Sequence, residues 1–104
     1  MPDPYYKTRR WARLRSAALR RDGYECQYYR RYGKHRSADT VHHILPRDQF
    51  PEYENKLWNL AALSAEAHDK MHDRNTGGLT TIGRELMERT ALKMGIELEE
   101  IRHG

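Results

Sequence analysis

The chain has 104 residues and a formal net charge of +4, which fits one small domain with a mild preference for polyanionic partners. Its single cysteine, Cys26, excludes an intramolecular disulfide. No apolar stretch reaches the roughly 20 residues of a membrane span, and the basic N-terminus lacks the apolar segment of a secretory signal, so a cytoplasmic protein is expected. Charge is unevenly spread. Up to Ser37 there are eleven Lys or Arg against three Asp or Glu, and the remainder is slightly acidic. Basic segments of this kind often meet phosphates, although a solvated helix face has the same composition.

Taken in chain order, Thr8 to Arg21 has helical spacing of Trp11, Leu14 and Ala18 with arginines between. Asp22-Gly23 stops that helix, with Gly23 in the position after the cap. Tyr24 to Tyr29 is short and aromatic, a strand or a knuckle, and Arg30 to Asp39 is a basic, turn-rich connection. Thr40 to Leu45 reads as a strand and is closed by Pro46. A loop containing Pro51 leads to an apolar run, Leu57 to Leu63, expected to be the second strand. Ser64 suits the N-cap of a helix running to about Asp73. Asn75 to Gly78 is a turn, and Thr81 to Met94 an amphipathic helix ended by Gly95. The tail to Gly104 has no clear pattern.

Four of the six histidines gather in this middle section. His68 and His72 are four apart on a predicted helix, which puts both imidazoles on one face. Such a pair can grip a metal ion, but an isolated pair in a charged helix is more often plain surface. His42 and His43 are neighbours on a strand and therefore point to opposite faces. With His42 turned towards the helix it meets His68 and His72, and His43 then faces outward, towards a substrate, as a free imidazole of near-neutral pKa. One face would hold a cation and the other would present a base, the two parts that phosphodiester hydrolysis requires.

At these residues the sequence resembles a known family. Val41-His42-His43-Ile44-x-Pro46, then Trp58-Asn59-Leu60-x-x-Leu63, then His68-x-x-x-His72-Asp73-Arg74, is similar to the HNH endonuclease motif of the ββα-metal (His-Me finger) fold. The upstream Trp11-x-x-Leu14-Arg15 and Arg21-Asp22-Gly23-Tyr24-x-Cys26-Gln27 resemble the leader of phage-type members. Together these pieces cover most of residues 5 to 75.

The resemblance implies an α+β fold in one nuclease domain over 1–104: a basic N-terminal segment with its helix (1–37), a ββα-metal core (38–75) and a C-terminal helical extension (76–104). It implies metal-dependent hydrolysis of DNA, by nicking or double-strand cleavage, with His43 as general base. His42 and His68 are the implied ligands of one divalent ion, with His72 third, as in the colicin-nuclease branch. Asn59 is implied to brace the loop and the base, with Asn55 a nearby rival. Mg²⁺ or Mn²⁺ is the expected ion, while an all-histidine donor set also suits Ni²⁺ or Zn²⁺. DNA is the implied partner, and a phage terminase and portal are further partners that the resemblance raises, in genome packaging or processing. The alternative is a catalytically silent DNA-binding module on the same scaffold.

The chain departs from the family at one place. Phage-type relatives carry two Cys-x-x-Cys knuckles for a structural zinc. Here the corresponding stretches read Cys26-Gln27-Tyr28-Tyr29 and Ser64-Ala65-Glu66-Ala67. A four-thiolate site cannot form, so no structural zinc is expected, and packing of Tyr28, Tyr29, Leu63 and Ala67 should take its place. Arg9, Arg10, Arg13, Arg20, Arg21, Arg30 and Arg31, with Lys34 and Arg36, are the candidate backbone-binding residues, none of them individually compelling.

Overall fold

The computed structural model describes residues 3–98. A short 3-10 turn, Pro4–Lys7, precedes helix α1, Arg9–Arg21. A helical turn α2, Gln27–Arg30, leads to strand β1, Thr40–His43. Strand β2, Leu60–Leu63, is followed directly by helix α3, Ala65–Met71, and later by helix α4, Thr81–Met94. This is the expected α+β arrangement, an antiparallel ββα unit between two flanking helices. Residues 99–104 of the predicted C-terminal extension lie outside the described residues.

The cap residues act as their chemistry dictates. The Thr8 side chain accepts from the Trp11 N–H, Ser64 from that of Ala67, and Thr80 from that of Gly83. Gly95 ends α4 at φ 69°, the left-handed conformation that glycine adopts without penalty.

β1 and β2 pair in the register Thr40↔Leu63, Val41↔Ala62, His42↔Ala61, His43↔Leu60. All four residues of β2 are buried. On one side Leu60 packs with Trp11 and Ala18 of α1; on another, Leu63 packs with Ala67 and Met71 of α3. Burying each leucine contributes about 1.5–3 kcal/mol.

The free edge of β2 would expose unpaired backbone groups. The end of α1 covers it. Arg21 donates to the carbonyls of Leu57 and Leu60, and the Asp22 carboxylate accepts from the Ala62 N–H. The Arg21-Asp22 pair thus docks the basic helix onto the sheet.

Several expected boundaries shift for physical reasons. The predicted strand Leu57–Leu63 begins as a 3-10 turn, Leu57–Asn59, and becomes extended only at Leu60. β1 stops at His43 because the Asn59 side chain takes over the ladder, accepting from the Leu45 N–H and donating to the Leu45 carbonyl. Tyr24 to Tyr29 is not a strand: Glu25 forms one isolated bridge with Ser37, and the chain then coils into α2.

Cys26 is fully buried with Leu63, Ala67 and Met71, and Tyr28, Tyr29 and Leu86 pack against them. The stretches Cys26 to Tyr29 and Ser64 to Ala67 therefore meet through apolar contact and a hydrogen bond from Tyr29 to Glu66. That bond pushes the Tyr29 hydroxyl up to about 12.

Candidate active site

The strand alternation at His42 and His43 has the anticipated result: the two rings enter different surroundings. His42 is 1% exposed and points at α3. Its ring centroid lies 5.3 Å from that of His68 and 5.2 Å from that of His72, and the last two are 5.1 Å apart. Each of the three residues offers a nitrogen within 4.8 Å of the others.

His42 Nε2 has no hydrogen-bond partner although it is buried. Leaving a buried polar atom unpaired is costly, and the arrangement makes chemical sense when that lone pair has a cation to bind. Burial, followed by repulsion from His68, His72 and His43, holds His42 well below its ordinary pKa. Burial, then His72, lowers His68 as well. All of this favours neutral imidazole, the form that ligates metal. The three residues present therefore fit a divalent ion.

His72 reaches this cluster by a route other than the expected one. α3 ends at Met71, and His72 is extended, with φ −122° and ψ 139°. The helix cannot continue because its last carbonyls are taken from elsewhere. The Thr80 hydroxyl bonds to Lys70 O and the Thr80 N–H to Met71 O at 2.9 Å, while His72 bridges to Leu79. Gly83 permits this approach. A Cβ there would lie 2.4 Å from the Met71 carbonyl oxygen.

His43 differs from expectation too. It does not face outward into solvent but is 8% exposed. Its ring stacks on Trp11 with centroids 5.2 Å apart and 22° between planes, and Tyr5 and Tyr6 meet it edge-on. The aromatic N-terminal segment, folded back across β1, makes this wall. His43 Nε2 lies 3.0 Å from the Glu54 carbonyl oxygen. A carbonyl only accepts, so a neutral ring carries its proton on Nε2 and its lone pair on Nδ1. Burial lowers the His43 pKa, with the Glu54 carbonyl opposing.

Asn59 is 0% exposed. Besides its two bonds to Leu45, it donates to the Tyr53 carbonyl at 3.2 Å. It thus ties both ends of the 45–53 loop, and it acts on His43 only through the chain, since Glu54 follows Tyr53. The nearby Asn55 has a different task, accepting from the Tyr5 hydroxyl at 3.1 Å.

His43 and the three-histidine cluster line one cleft of about 450 Å³, together with Tyr6, Arg47, Asp48 and Gly77-Gly78 among others. Arg47 is a residue that sequence reasoning missed. Its guanidinium bridges Asp3 and Glu54 and lies 3.8 Å from the centre of the Tyr5 ring. Burial opposes its charge, but hydrogen bonds to Asp3, Tyr6 and Glu54 raise its pKa, and the Arg47 bond holds Asp3 below the usual carboxylate range. With two carboxylates and an aromatic face already engaging it, Arg47 anchors the N-terminal turn beside the cleft. Its only sequence signal is its place directly after Pro46.

Of the candidate backbone-binding arginines, Arg9, Arg10, Arg13, Arg20, Arg30 and Arg31 are exposed. Arg21 is not free for that purpose, because its guanidinium is committed to Asp22 and to the carbonyls of Leu57 and Leu60.

Comparison with protein-family models and with curated proteins gave no match. Among solved structures, the chain is similar to the HNH endonuclease of the deep-sea thermophilic bacteriophage GVE2, crystallised with manganese ion. The two are 32% identical, the match covers 62% of this chain and 71% of that one, and the TM-score is 0.61.

Proposed function

This chain belongs to the HNH endonuclease family, and from that premise we propose that it hydrolyses phosphodiester bonds of DNA in a metal-dependent reaction. The observation that carries the reading is the division of labour on β1. A buried, unpartnered His42 Nε2 sits in a cluster of three imidazoles. The adjacent His43 has its Nε2 engaged by a carbonyl, which leaves Nδ1 to accept a proton. Both rings line the same cleft.

In this reading His43 takes a proton from water as the water attacks phosphorus. Its lowered pKa keeps the ring neutral and ready near pH 7. A divalent ion held by His42, His68 and His72 would supply Lewis-acid neutralisation of charge on the phosphate and on the departing 3′ oxygen. Manganese is supported by the neighbour's ion, and magnesium remains the other expectation of the resemblance. Asn59 fixes the loop from which Glu54 orients His43. The exposed arginines of α1 and α2 hold the DNA backbone.

Plasmid nicking with Mn²⁺, Mg²⁺ and EDTA, on wild type and His43→Ala, tests this. Cutting that needs the ion and is lost in His43→Ala is the expected result. Failure of the wild type to cut with any divalent ion overturns the nuclease reading; DNA binding without cutting would instead identify a silent binding module. The finer setting, packaging or processing of phage DNA beside terminase and portal, rests on the resemblance of the leader, and co-purification with those proteins would test it.

A further inference from the structure

The Pro4–Lys7 turn carries a side chain that the catalytic reading does not use. Tyr5 Oη donates to the Glu54 carbonyl at 2.8 Å, with Asn55 Oδ1 at 3.1 Å as its alternative acceptor. The same oxygen is 3.4 Å from His43 Nε2. The Glu54 carbonyl therefore receives both His43 and Tyr5.

A hydroxyl has one proton to give. Here it is directed at Glu54 and Asn55, and what the phenol turns to His43 is a lone pair. His43 Nε2 thus meets oxygens that accept, and no donor. The segment is tethered at further points that hold the ring in place. Asp3 pairs with Arg47, Arg47 stacks on Tyr5, and Tyr5 packs against Trp11 with centroids 5.5 Å apart.

We propose that Tyr5 is a positioning residue for His43: its hydroxyl, bound to Glu54 and Asn55, closes the Nε2 side of the ring to hydrogen-bond donors and so keeps the lone pair on Nδ1. This rests on the reading of His43 as the base. Without the hydroxyl, the Glu54 carbonyl alone holds the Nε2 proton, and a water that takes the place of the hydroxyl can donate to Nε2 instead. That stabilises the opposite tautomer, with the proton on Nδ1, which cannot accept one from the attacking water. Burial raises the Tyr5 hydroxyl above its ordinary 10.0, so the phenol keeps its proton throughout the neutral range.

The test uses the full chain, uniformly ¹⁵N-labelled, as wild type and Tyr5→Phe. Long-range ¹H–¹⁵N correlation spectra of the metal-free protein report the His43 tautomer, and plasmid nicking in Mn²⁺ reports kcat and KM. Wild type should show the proton on Nε2. Tyr5→Phe should show a mixture of tautomers and a kcat lower by about tenfold, the scale set by one lost hydrogen bond near a charge-bearing group. KM and Mn²⁺ affinity should stay unchanged.

A proton on Nδ1 in wild type overturns the proposal, and needs no variant to fold. Wild-type tautomer in Tyr5→Phe overturns it as well, whatever happens to kcat. A shifted tautomer with unchanged kcat leaves Tyr5 in place and instead sinks His43 as the base. A wild type that does not cut sinks the nuclease reading, while the spectra still decide the role of Tyr5.

Discussion

The two faces of β1 carry the same side chain in opposite states. On the His42 face, three imidazoles converge and one buried nitrogen has nothing to bind. On the His43 face, the ring is stacked, edged by tyrosines and tied to a carbonyl. The first face offers three nitrogens that could hold a cation, and the second has its Nε2 engaged by a carbonyl. Chemistry is assigned by what surrounds each ring, since the residue type is identical.

The largest effects should separate the faces outright. His43→Ala should lower nicking by about 10²–10⁴-fold, the usual contribution of a general base, while Mn²⁺ binding measured by titration calorimetry stays near wild type. His42→Ala should do the reverse at the binding step, with Mn²⁺ affinity lost before cutting is considered. Equal loss of metal affinity in both variants would break the comparison, because the faces would then not be independent.

Asn59→Ala comes next. It strips a fully buried amide of three bonds, including those to Leu45, and should destabilise by about 3 kcal/mol. Denaturant unfolding measures this, and a change under about 0.5 kcal/mol would remove Asn59 as the brace of the loop.

Gly83→Ala probes how the His42 face is held. The added Cβ would meet the Met71 carbonyl at 2.4 Å, so α4 must move, at about 1–3 kcal/mol. Because that carbonyl sits beside His72, Mn²⁺ affinity should fall along with stability, whereas the His43 tautomer should not change.

The smallest effect is in pH. His42 and His68 are held below 6.5 in the folded chain, by burial first and then by neighbouring imidazoles. The unfolded chain therefore takes up protons first as pH falls below about 6.5. Stability that is full above that pH is lost on acidification towards the folded values. The melting temperature of chelator-treated protein should drop by several degrees between about pH 7 and pH 5.5. Saturating Mn²⁺ should raise it at pH 7 and progressively less on acidification, as protons compete for the nitrogens. A flat profile would mean that His42 and His68 are not as buried as described.

Much of the core was legible from local pattern. Alternation along Thr40 to His43 separates the two histidines, Ser64 announces α3, and Gly95 ends α4. What local pattern missed depends on partners far along the chain. His72 leaves the helix because Thr80 captures carbonyls ten and nine residues before it. The His43 wall is invisible because Tyr5 lies 38 residues away. Arg21 looked like one more surface cation until its carbonyl partners, 36 and 39 residues on, were seen. Periodicity reports which face a residue occupies, and says nothing of what a distant segment brings to that face.

The register of β1 against β2, with His42 opposite Ala61 and His43 opposite Leu60, makes insertions and deletions a different kind of mutation here from substitutions. A slip of one residue exchanges the faces of a strand. Slid one way, His43 would arrive in the ligand slot and Ile44 in the slot of the base. Slid the other way, His42 would arrive beside Trp11 and Val41 among the imidazoles. Either error leaves one histidine usefully placed and wastes the other. One-residue insertions or deletions within the strand should therefore yield proteins that still bind an ion without cutting, or that keep a base without an ion, and adjacency makes the two losses alternatives.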